Sequence, residues 1–298
     1  MKTLFLILLL VTSNAFASDR EQAAKIIESL SIQSTLLSKM DAASARFIGL
    51  PYGAGGPLGE GETGRYDQDP LYRFDTFDCT TYVETIISLA LSQDVDEFEQ
   101  HMDKIRYENS QVDYLSRNHF PSLQWIPNNI ENGLFQEIND LVLPRNAQLI
   151  AEAVINIPGW LKKIKIEEIR VPSASREEKQ ALLEELQGLS SQYEPKTAKL
   201  NYLPISTLLK TPIALKKIPS GSVVNFVRPN WDLTDSIGTH MNVSHQGLVF
   251  QLKGKTYLRH ASVGAEKKVV EIELIEYLKK FDNHPTLKGI HLMKLQGL

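Results

Sequence analysis

The sequence predicts an α+β protein in which helices come first and an antiparallel sheet comes last. Segments with helical spacing of apolar residues occur up to about residue 189, and strand-like segments are concentrated in the last third. Because helices and strands are segregated along the chain and do not alternate, helices packed on an antiparallel sheet are the expected architecture. Apolar residues make up 42% of the 298 residues, which suffices for a conventional core.

The helices are predicted from capping patterns and apolar spacing. Ser18 and Glu21 have the spacing of a capping box, and so do Ser175 and Glu178. The first box precedes apolar residues at helical intervals, and the second precedes a leucine stripe. Helices are expected from residue 18 onward and near 32–47, 79–93, 95–106, 175–189 and 274–281.

The strands are predicted from short runs rich in β-branched and aromatic residues. They are expected at 222–227, 244–252, 255–261, 268–273 and 287–295, with Gly254 in the turn between the second and third. Residues 51–77 are rich in glycine and proline and read as a long loop, a feature that is usually functional or disordered. Residues from about 95 to 205 are expected to form a largely helical insertion.

The first 17 residues have the pattern of a secretory signal peptide. Lys2 supplies a positive charge, Leu4 to Val11 is an apolar run too short to span a bilayer, and Ala15-Phe16-Ala17 fits a cleavage site. We therefore expect an exported bacterial protein, periplasmic or secreted, with residues 18–298 as one domain. No second long apolar run follows, so no integral membrane segment is expected in the mature chain.

The formal net charge of −4 provides no basic footprint, which argues against nucleic acid as a partner. Cys79 is the only cysteine, so no disulfide can form within the chain. In an oxidising compartment an unpaired thiol is a liability unless it has a function. Cys79 follows Asp78 at the start of a predicted helix, where backbone N–H groups favour a thiolate. We interpret Cys79 as a candidate nucleophile, and the alternative is a buried cysteine acting as a small apolar residue.

A cysteine nucleophile needs a base, and the base needs an orienting group. His245 lies at the start of a predicted strand, and Gly247 leaves room for close approach. His260 lies on the next strand. If Lys253-Gly254 forms a two-residue turn, His260 opposes Gly247 and is the diagonal neighbour of His245 on the same face, within reach of its imidazole.

The motifs around these residues resemble a family. The segments GLPYGAGG and FDCTTYVE are similar to the PYxxGG and DCSG signature of the NlpC-type cell-wall cysteine hydrolases, which have a papain-like core. SHQGLVF resembles the strand that carries their catalytic histidine, and HAS matches the place of their third polar residue. The closer resemblance is to the N-acetylmuramoyl-L-alanine amidase-like branch, with its DCTTFVE, SHxG and HAS motifs and its long insertion.

The resemblance implies a papain-like core in which the nucleophile helix packs on an antiparallel sheet, with no cofactor and no metal. It implies that Cys79 is the nucleophile, His245 the base and His260 the orienting residue. Tyr52 takes the place of the tyrosine that helps to hold the oxyanion, and the Cys79 backbone N–H is a second donor. The substrate would be peptidoglycan or a muropeptide, cut at the bond between N-acetylmuramic acid and L-alanine. Thr80-Thr81 replaces the usual Ser-Gly.

Further substrate contacts are expected from the run SRNHFPSLQWIP and from polar residues near the catalytic candidates. Arginine in this run would pair with a carboxylate of the stem peptide. The candidates are Asp78, Arg117, His119, Trp125 and His240.

Three other functions stay open. An endopeptidase would cut the stem peptide, at the bond between D-glutamate and the diamino acid, with the same residues. A zinc hydrolase would use His240, His245 and His260 as ligands and a water as the fourth, but it leaves Cys79 unexplained. A non-catalytic cell-wall binding protein would retain the same core without turnover.

Overall fold

The computed structural model describes residues 18–53 and 58–297. The predicted signal peptide lies outside these residues. The helices, in chain order, are α1 (Asp19–Leu30), α2 (Leu36–Arg46), α3 (Cys79–Leu91), α4 (Val95–Arg106), α5 (Ile126–Glu131), α6 (Asn139–Val142), α7 (Ile157–Lys163), α8 (Arg176–Gly188), α9 (Ile205–Lys210), α10 (Thr234–Ile237) and α11 (Leu274–Lys279). The predicted helices are present as α1, α2, α3, α4, α8 and α11.

The strands pair antiparallel throughout the described sheet. They are β1 (Phe135–Glu137), β2 (Leu149–Ile155), β3 (Lys196–Pro204), β4 (Ser222–Leu233), β5 (Thr239–Leu252), β6 (Lys255–Ala261), β7 (Val269–Glu273) and β8 (Gly289–Leu295). Their order is β2-β3-β8-β4-β5-β6-β7, and β1 pairs with β8 beside this path. The predicted α+β class with an antiparallel sheet is confirmed, and the strands predicted in the last third are β4 to β8.

The segment from 95 to 205 departs from the expected, largely helical insertion. It holds α4 to α8, but it also holds β1, β2 and β3, which join the same sheet as the C-terminal strands. In β3 the polar and apolar residues alternate, and Ala198, Leu200 and Tyr202 are buried. Its sequence therefore has the pattern of a strand with one buried face. In β2 the signal is obscured because Ile150 and Val154 are apolar yet exposed.

Helix α3 is the element that carries Cys79 into the core. Its N-terminus is fixed by a capping box, in which the Asp78 carboxylate accepts from the Thr81 N–H at 2.8 Å and the Thr81 hydroxyl meets the Asp78 N–H at 3.0 Å. The helix is buried along most of its length, from Thr81 to Ala90. It packs against α1, α2 and the sheet in one hydrophobic cluster, so its first turn is held rigidly.

The described part of the long loop, residues 58–77, is tied to the neighbouring helices by buried polar contacts. The Arg117 guanidinium donates to Glu60 at 2.9 Å, the Arg106 guanidinium donates to the carbonyl of Leu71, and the Tyr107 hydroxyl donates to the carbonyl of Gly59 at 3.2 Å. The two arginines therefore anchor this loop beside α3.

Within the described residues, no helix combines the length and the apolar composition that crossing a lipid bilayer requires.

Candidate active site

Cys79 occupies the first position of α3, partly exposed, and makes no disulfide. The hydroxyl of the next residue, Thr80, donates to the side chain of Gln246, the residue that follows His245 on β5, at 2.7 Å. The start of the nucleophile helix therefore contacts the middle of β5, which begins at Thr239 and not beside His245 as the sequence predicts.

Tyr52 lies near Cys79 and Asp78, whose charges act on its phenol. Residues 51–53 form an extended segment, in which Tyr52 bridges Phe77 and its N–H donates to the carbonyl of Lys267 at 2.8 Å. This pairing places the tyrosine beside Asp78 and Cys79. Burial, followed by the charges of Cys79 and Asp78, raises the pKa of Tyr52 to about 12. At neutral pH its phenol is protonated and can donate a hydrogen bond.

The two histidines come together through the hairpin of β5 and β6. Leu252 pairs with Lys255, so Lys253 and Gly254 form a two-residue turn, both with positive φ, at 49° and 77°. His245 and His260 consequently lie on one face, with His245 Nε2 and His260 Nδ1 at 2.6 Å. The turn length and the diagonal neighbourhood are those that the sequence predicts.

Gly247 is required by this close approach. A Cβ built on Gly247 would lie 2.7 Å from Leu258 Cδ1 and 3.0 Å from both the Arg259 carbonyl and the His260 Cβ. Any side chain here would displace β6 and His260 with it.

The pair of histidines is buried in an aromatic setting. The His245 ring lies 5.5 Å from Phe226, and the His260 ring lies 5.1 Å from Tyr277, centroid to centroid. Burial, and then the neighbouring His260, holds the pKa of His245 well below its usual 6.5. Burial, and then Lys280, lowers the pKa of His260 to about 4. Both imidazoles are neutral at pH 7.

One proton lies in the short hydrogen bond between the two neutral imidazoles. Whether His245 or His260 carries this proton decides whether His245 can act as a base. If His245 Nε2–H donates to His260 Nδ1, the Nδ1 of His245 keeps a free lone pair and is a base. In the opposite arrangement His245 carries its proton on Nδ1 and is not a base. His260 in the accepting tautomer thus prepares His245 for proton abstraction, the part that the third member of a triad plays.

The thiol is also neutral at rest, contrary to the expectation from its place at a helix N-terminus. Burial, and then the charge of Asp78, raises the pKa of Cys79 to about 12, and the N–H of Gln246 and the hydroxyl of Thr80 offset this only in part. Desolvation outweighs the helix dipole because the sulfur is enclosed by protein.

A buried polar chain behind the site is not predicted by the sequence analysis. The Thr80 hydroxyl donates to Gln246 Oε1 at 2.7 Å, Gln246 Nε2 donates to Asn225 Oδ1 at 2.7 Å, and Asn225 Nδ2 contacts His291 Nδ1 at 3.1 Å. His291 Nε2 lies 3.4 Å from Glu137. The available signal was Asn225, a polar residue within the apolar strand SVVNFV.

Tyr277 is the other residue that sequence reasoning missed. It lies on α11, its ring packs on His260 and Phe226, and burial followed by the charge of Cys79 raises its pKa. Nothing in the sequence distinguishes it from an ordinary core tyrosine, because only the fold brings α11 to the site.

Several residues that were predicted to contact the substrate instead contact other residues of the protein. Arg117 lines the same pocket as His119, but its guanidinium pairs with Glu60 and with Asp67, so its predicted contact with a substrate carboxylate stays a prediction. Trp125 is buried, and its indole donates to Glu84 at 3.0 Å. Asp78 caps α3. His119 lies near Trp125, in the lining of a pocket beside α3.

The structure does not assemble the three histidines of the zinc hypothesis. His240 lies on β5 with Nε2 3.7 Å from Asp232, whereas His245 and His260 are bonded to each other. Among the described residues, no group of three or more histidine, cysteine, aspartate or glutamate side chains is arranged to hold a metal ion.

A family model and several solved structures match most of the chain. The family model AmiA-like, described as N-acetylmuramoyl-L-alanine amidase-like, matches residues 42–287. A crystal structure of a protein from Legionella pneumophila has a TM-score of 0.87 at 34% identity, covering 93% of this chain and 94% of that one. No protein of curated function matches the chain.

Two more distant structures share the fold. A crystal structure of an N-acetylmuramoyl-L-alanine amidase from Bacteroides uniformis has a TM-score of 0.59 at 21% identity, covering 87% of this chain and 98% of that one. A candidate xylanase from Bacteroides fragilis has a TM-score of 0.60 at 24% identity, covering 85% of this chain and 99% of that one. At such identities the likeness concerns the fold alone.

Proposed function

The chain belongs to the AmiA-like, N-acetylmuramoyl-L-alanine amidase-like family, and from that membership we propose that it is a peptidoglycan amidohydrolase with Cys79 as its nucleophile. The bond cut is the amide between N-acetylmuramic acid and L-alanine. The observation that carries this proposal is the 2.6 Å contact between His245 Nε2 and His260 Nδ1, on a strand that the hydrogen bond from Thr80 to Gln246 ties to the first turn of α3. It is the arrangement that a base and its orienting group need.

In the first half of the reaction, the Cys79 sulfur attacks the amide carbonyl carbon and a C–S bond forms. The thiol proton passes to His245 Nδ1 during the attack, because a thiol of pKa about 12 is not ionised beforehand. The C–N bond then breaks, and His245 returns the proton to the departing nitrogen of L-alanine. The products are a free stem peptide and an N-acetylmuramoyl thioester on Cys79.

In the second half, a water molecule attacks the thioester carbonyl while His245 Nδ1 takes its proton. The C–S bond breaks, the proton returns to the sulfur, and the muramoyl carboxylic acid leaves and loses its own proton to the solvent. His260 stabilises the positive charge that His245 carries in both halves, by accepting the Nε2–H. The phenol of Tyr52 and the backbone N–H of Cys79 would hold the negative oxygen of each tetrahedral intermediate.

The proposal includes two further parts. The core around Cys79, His245 and His260 is papain-like, with α3 packed on the sheet, as the resemblance implies. The protein acts outside the cytoplasm, periplasmic or secreted, since its substrate is there and residues 1–17 read as a signal peptide.

The test is mass spectrometry of defined muropeptides incubated with the mature protein, with Cys79→Ser as the matched variant. A free stem peptide that begins at L-alanine, formed by the wild type only, is the expected result. A shortened stem that is still attached to the sugar would assign the endopeptidase instead. Product formation that survives thiol alkylation but not chelation would contradict the cysteine mechanism.

A further inference from the structure

A pocket of about 210 Å³ opens beside the first turn of α3. Asp78, Thr80 and Thr81, which flank Cys79, line it together with Arg106, His119 and Trp125. Because this pocket adjoins the nucleophile, a group bound in it would belong to the molecule that is being cut.

Arg106 contributes one hydrogen-bond donor that nothing uses. Its Nε donates to Glu84 at 2.9 Å and its Nη1 donates to the carbonyl of Leu71, while Nη2 is buried without a partner among the described residues. The side chain is 5% exposed. A buried N–H without an acceptor costs free energy, which an acceptor on a ligand would recover.

His119 contributes an acceptor to the same pocket. Its Nε2 lies 2.7 Å from the carbonyl of Tyr114, and since a carbonyl only accepts, the proton is on Nε2. Burial, and then the charge of Arg117, lowers the pKa of His119 to about 3, so the ring is neutral and Nδ1 has a lone pair. No described residue donates a hydrogen bond to this nitrogen.

The charges around the pocket disfavour an anion. Arg106 is neutralised by Glu84, and Arg117 faces both Glu60 and Asp67. Asp78 adds a further negative charge at the rim. A carboxylate would meet a formally negative surface, whereas a neutral group with a carbonyl oxygen and an N–H would satisfy the donor and the acceptor.

We infer that this pocket is a subsite for a neutral secondary amide group of the substrate, held between Arg106 and His119. The inference rests on the proposed function. The amide is either the acetamido group of the sugar or the peptide amide between L-alanine and D-glutamate, which share this chemistry. The apolar lining of Leu58, Pro121 and Trp125 suits the carbon next to such an amide.

The test crosses enzyme variants with substrate analogues. Arg106→Lys keeps the charge beside Glu84 but lacks Nη2, and His119→Gln keeps an N–H toward Tyr114 but lacks Nδ1. Each is assayed on the native muropeptide, on its de-N-acetylated form, and on an analogue with methylene in place of the L-alanine carbonyl. The control is Arg145→Lys, whose arginine is 88% exposed and pairs with Asp140 on the surface.

On the native substrate each variant is expected to raise KM roughly tenfold with little change in kcat, the factor that one hydrogen bond of this kind contributes. The increase in KM caused by Arg106→Lys should vanish with the analogue that lacks the bound carbonyl. If this is the de-N-acetylated form, the subsite binds the acetamido group; if it is the methylene analogue, the subsite binds the peptide amide. A KM unchanged from wild type, or a penalty equal on all three substrates, would overturn the inference.

Affinity measured by calorimetry separates this inference from the proposed function. In a Cys79→Ala background, the native muropeptide should bind roughly tenfold more weakly when Arg106→Lys is added. If the wild type releases no product but this difference holds, the chemistry is wrong and the subsite stands. If the wild type is active and the difference is absent, only the subsite is wrong. Absence of both turnover and binding contradicts the two together.

Discussion

At the residue scale, the site keeps its thiol and its imidazoles neutral until a substrate arrives. Burial raises the pKa of Cys79 to about 12 and lowers the pKa of His245 well below 6.5. At neutral pH the protons are therefore on the sulfur and on one nitrogen of each ring. A neutral thiol resists oxidation, which suits a lone cysteine in the oxidising compartment that the proposed export implies.

This pattern predicts an unusual pH dependence. The rate of Cys79 alkylation by iodoacetamide should still rise about tenfold per pH unit between pH 8 and 10, because the thiolate fraction grows until the pH reaches the pKa. A free thiol with a pKa of about 8.5 levels off in this range. The measurement is the alkylation rate followed by intact mass, with the urea-unfolded protein as the control.

The pH dependence of kcat/KM should reflect the lowered pKa of His245. His245 is a base only while neutral, so kcat/KM should be lost as the pH falls through its lowered pKa, and an inflection near 6.5 should be missing. An alkylation rate that is already constant below pH 7 would show a thiolate paired with an imidazolium, and it would contradict this description of the site.

His260 offers a second test at this scale. His260→Asn keeps an oxygen near the position of Nδ1 and should retain kcat within about tenfold of the wild type. His260→Leu removes the acceptor, leaves the tautomer of His245 unfixed and should lower kcat roughly a hundredfold or more, with KM unchanged. Steady-state kinetics on one muropeptide decide this, and equal losses in the two variants would limit His260 to packing.

At the element scale, the β5–β6 hairpin sets the distance between the histidines. Gly247→Ala would push a methyl group into the space of Leu258 and His260, at the distances given above. We expect a loss of about 1–3 kcal/mol in the free energy of unfolding and a fall in kcat, because β6 must move.

The matched control is Gly188→Ala in α8, where a Cβ meets no atom within 4 Å and the backbone is helical. There alanine should stabilise the protein by about 0.5–1 kcal/mol. Urea unfolding of the two variants measures the difference. If Gly247→Ala is as stable and as active as the wild type, the hairpin is not closely packed at the site.

Local patterns predicted these elements because each depends on neighbours in the chain. The capping box at Asp78 begins α3, and the turn at Gly254 fixes the register of the hairpin, so the contact of His245 with His260 could be predicted. The strand β2 was missed because the exposed apolar residues Ile150 and Val154 obscure its alternation, whereas β3 was missed although its polar and apolar residues alternate. Arg117 was predicted to contact the substrate. Its pairing with Glu60 could not be predicted, because it depends on how the long loop folds.

At the scale of the whole molecule, the polar chain from Thr80 to Glu137 joins the nucleophile helix to four strands of the sheet. Its links are contributed by α3, β5, β4, β8 and β1, which lie far apart in the sequence. Such contacts are invisible to spacing rules, and Gln246 and Tyr277 were missed for this reason. When every buried polar group of a network has a hydrogen-bond partner, the network favours one arrangement of the helices and strands that contribute these groups.

Gln246→Leu tests this coupling. The variant leaves Asn225 Oδ1 without its donor and the Thr80 hydroxyl without its acceptor, both close to Cys79. We expect a loss of about 2 kcal/mol or more in the free energy of unfolding and a lower kcat. The comparison is Gln148→Leu, whose glutamine binds Asp140 near the surface and should change neither quantity appreciably. Equal effects in the two variants would argue against a role of the chain in holding the nucleophile.

The central claim is that the muramoyl group acylates Cys79. The most direct test is to quench the reaction with acid within a few turnovers and to measure the mass of the intact protein by mass spectrometry. We predict an adduct with the mass of the N-acetylmuramoyl acyl group, located on Cys79 by peptide mapping and absent from Cys79→Ser. Rapid formation of free stem peptide without any adduct, or an adduct that carries the stem peptide in place of the sugar, would contradict the account.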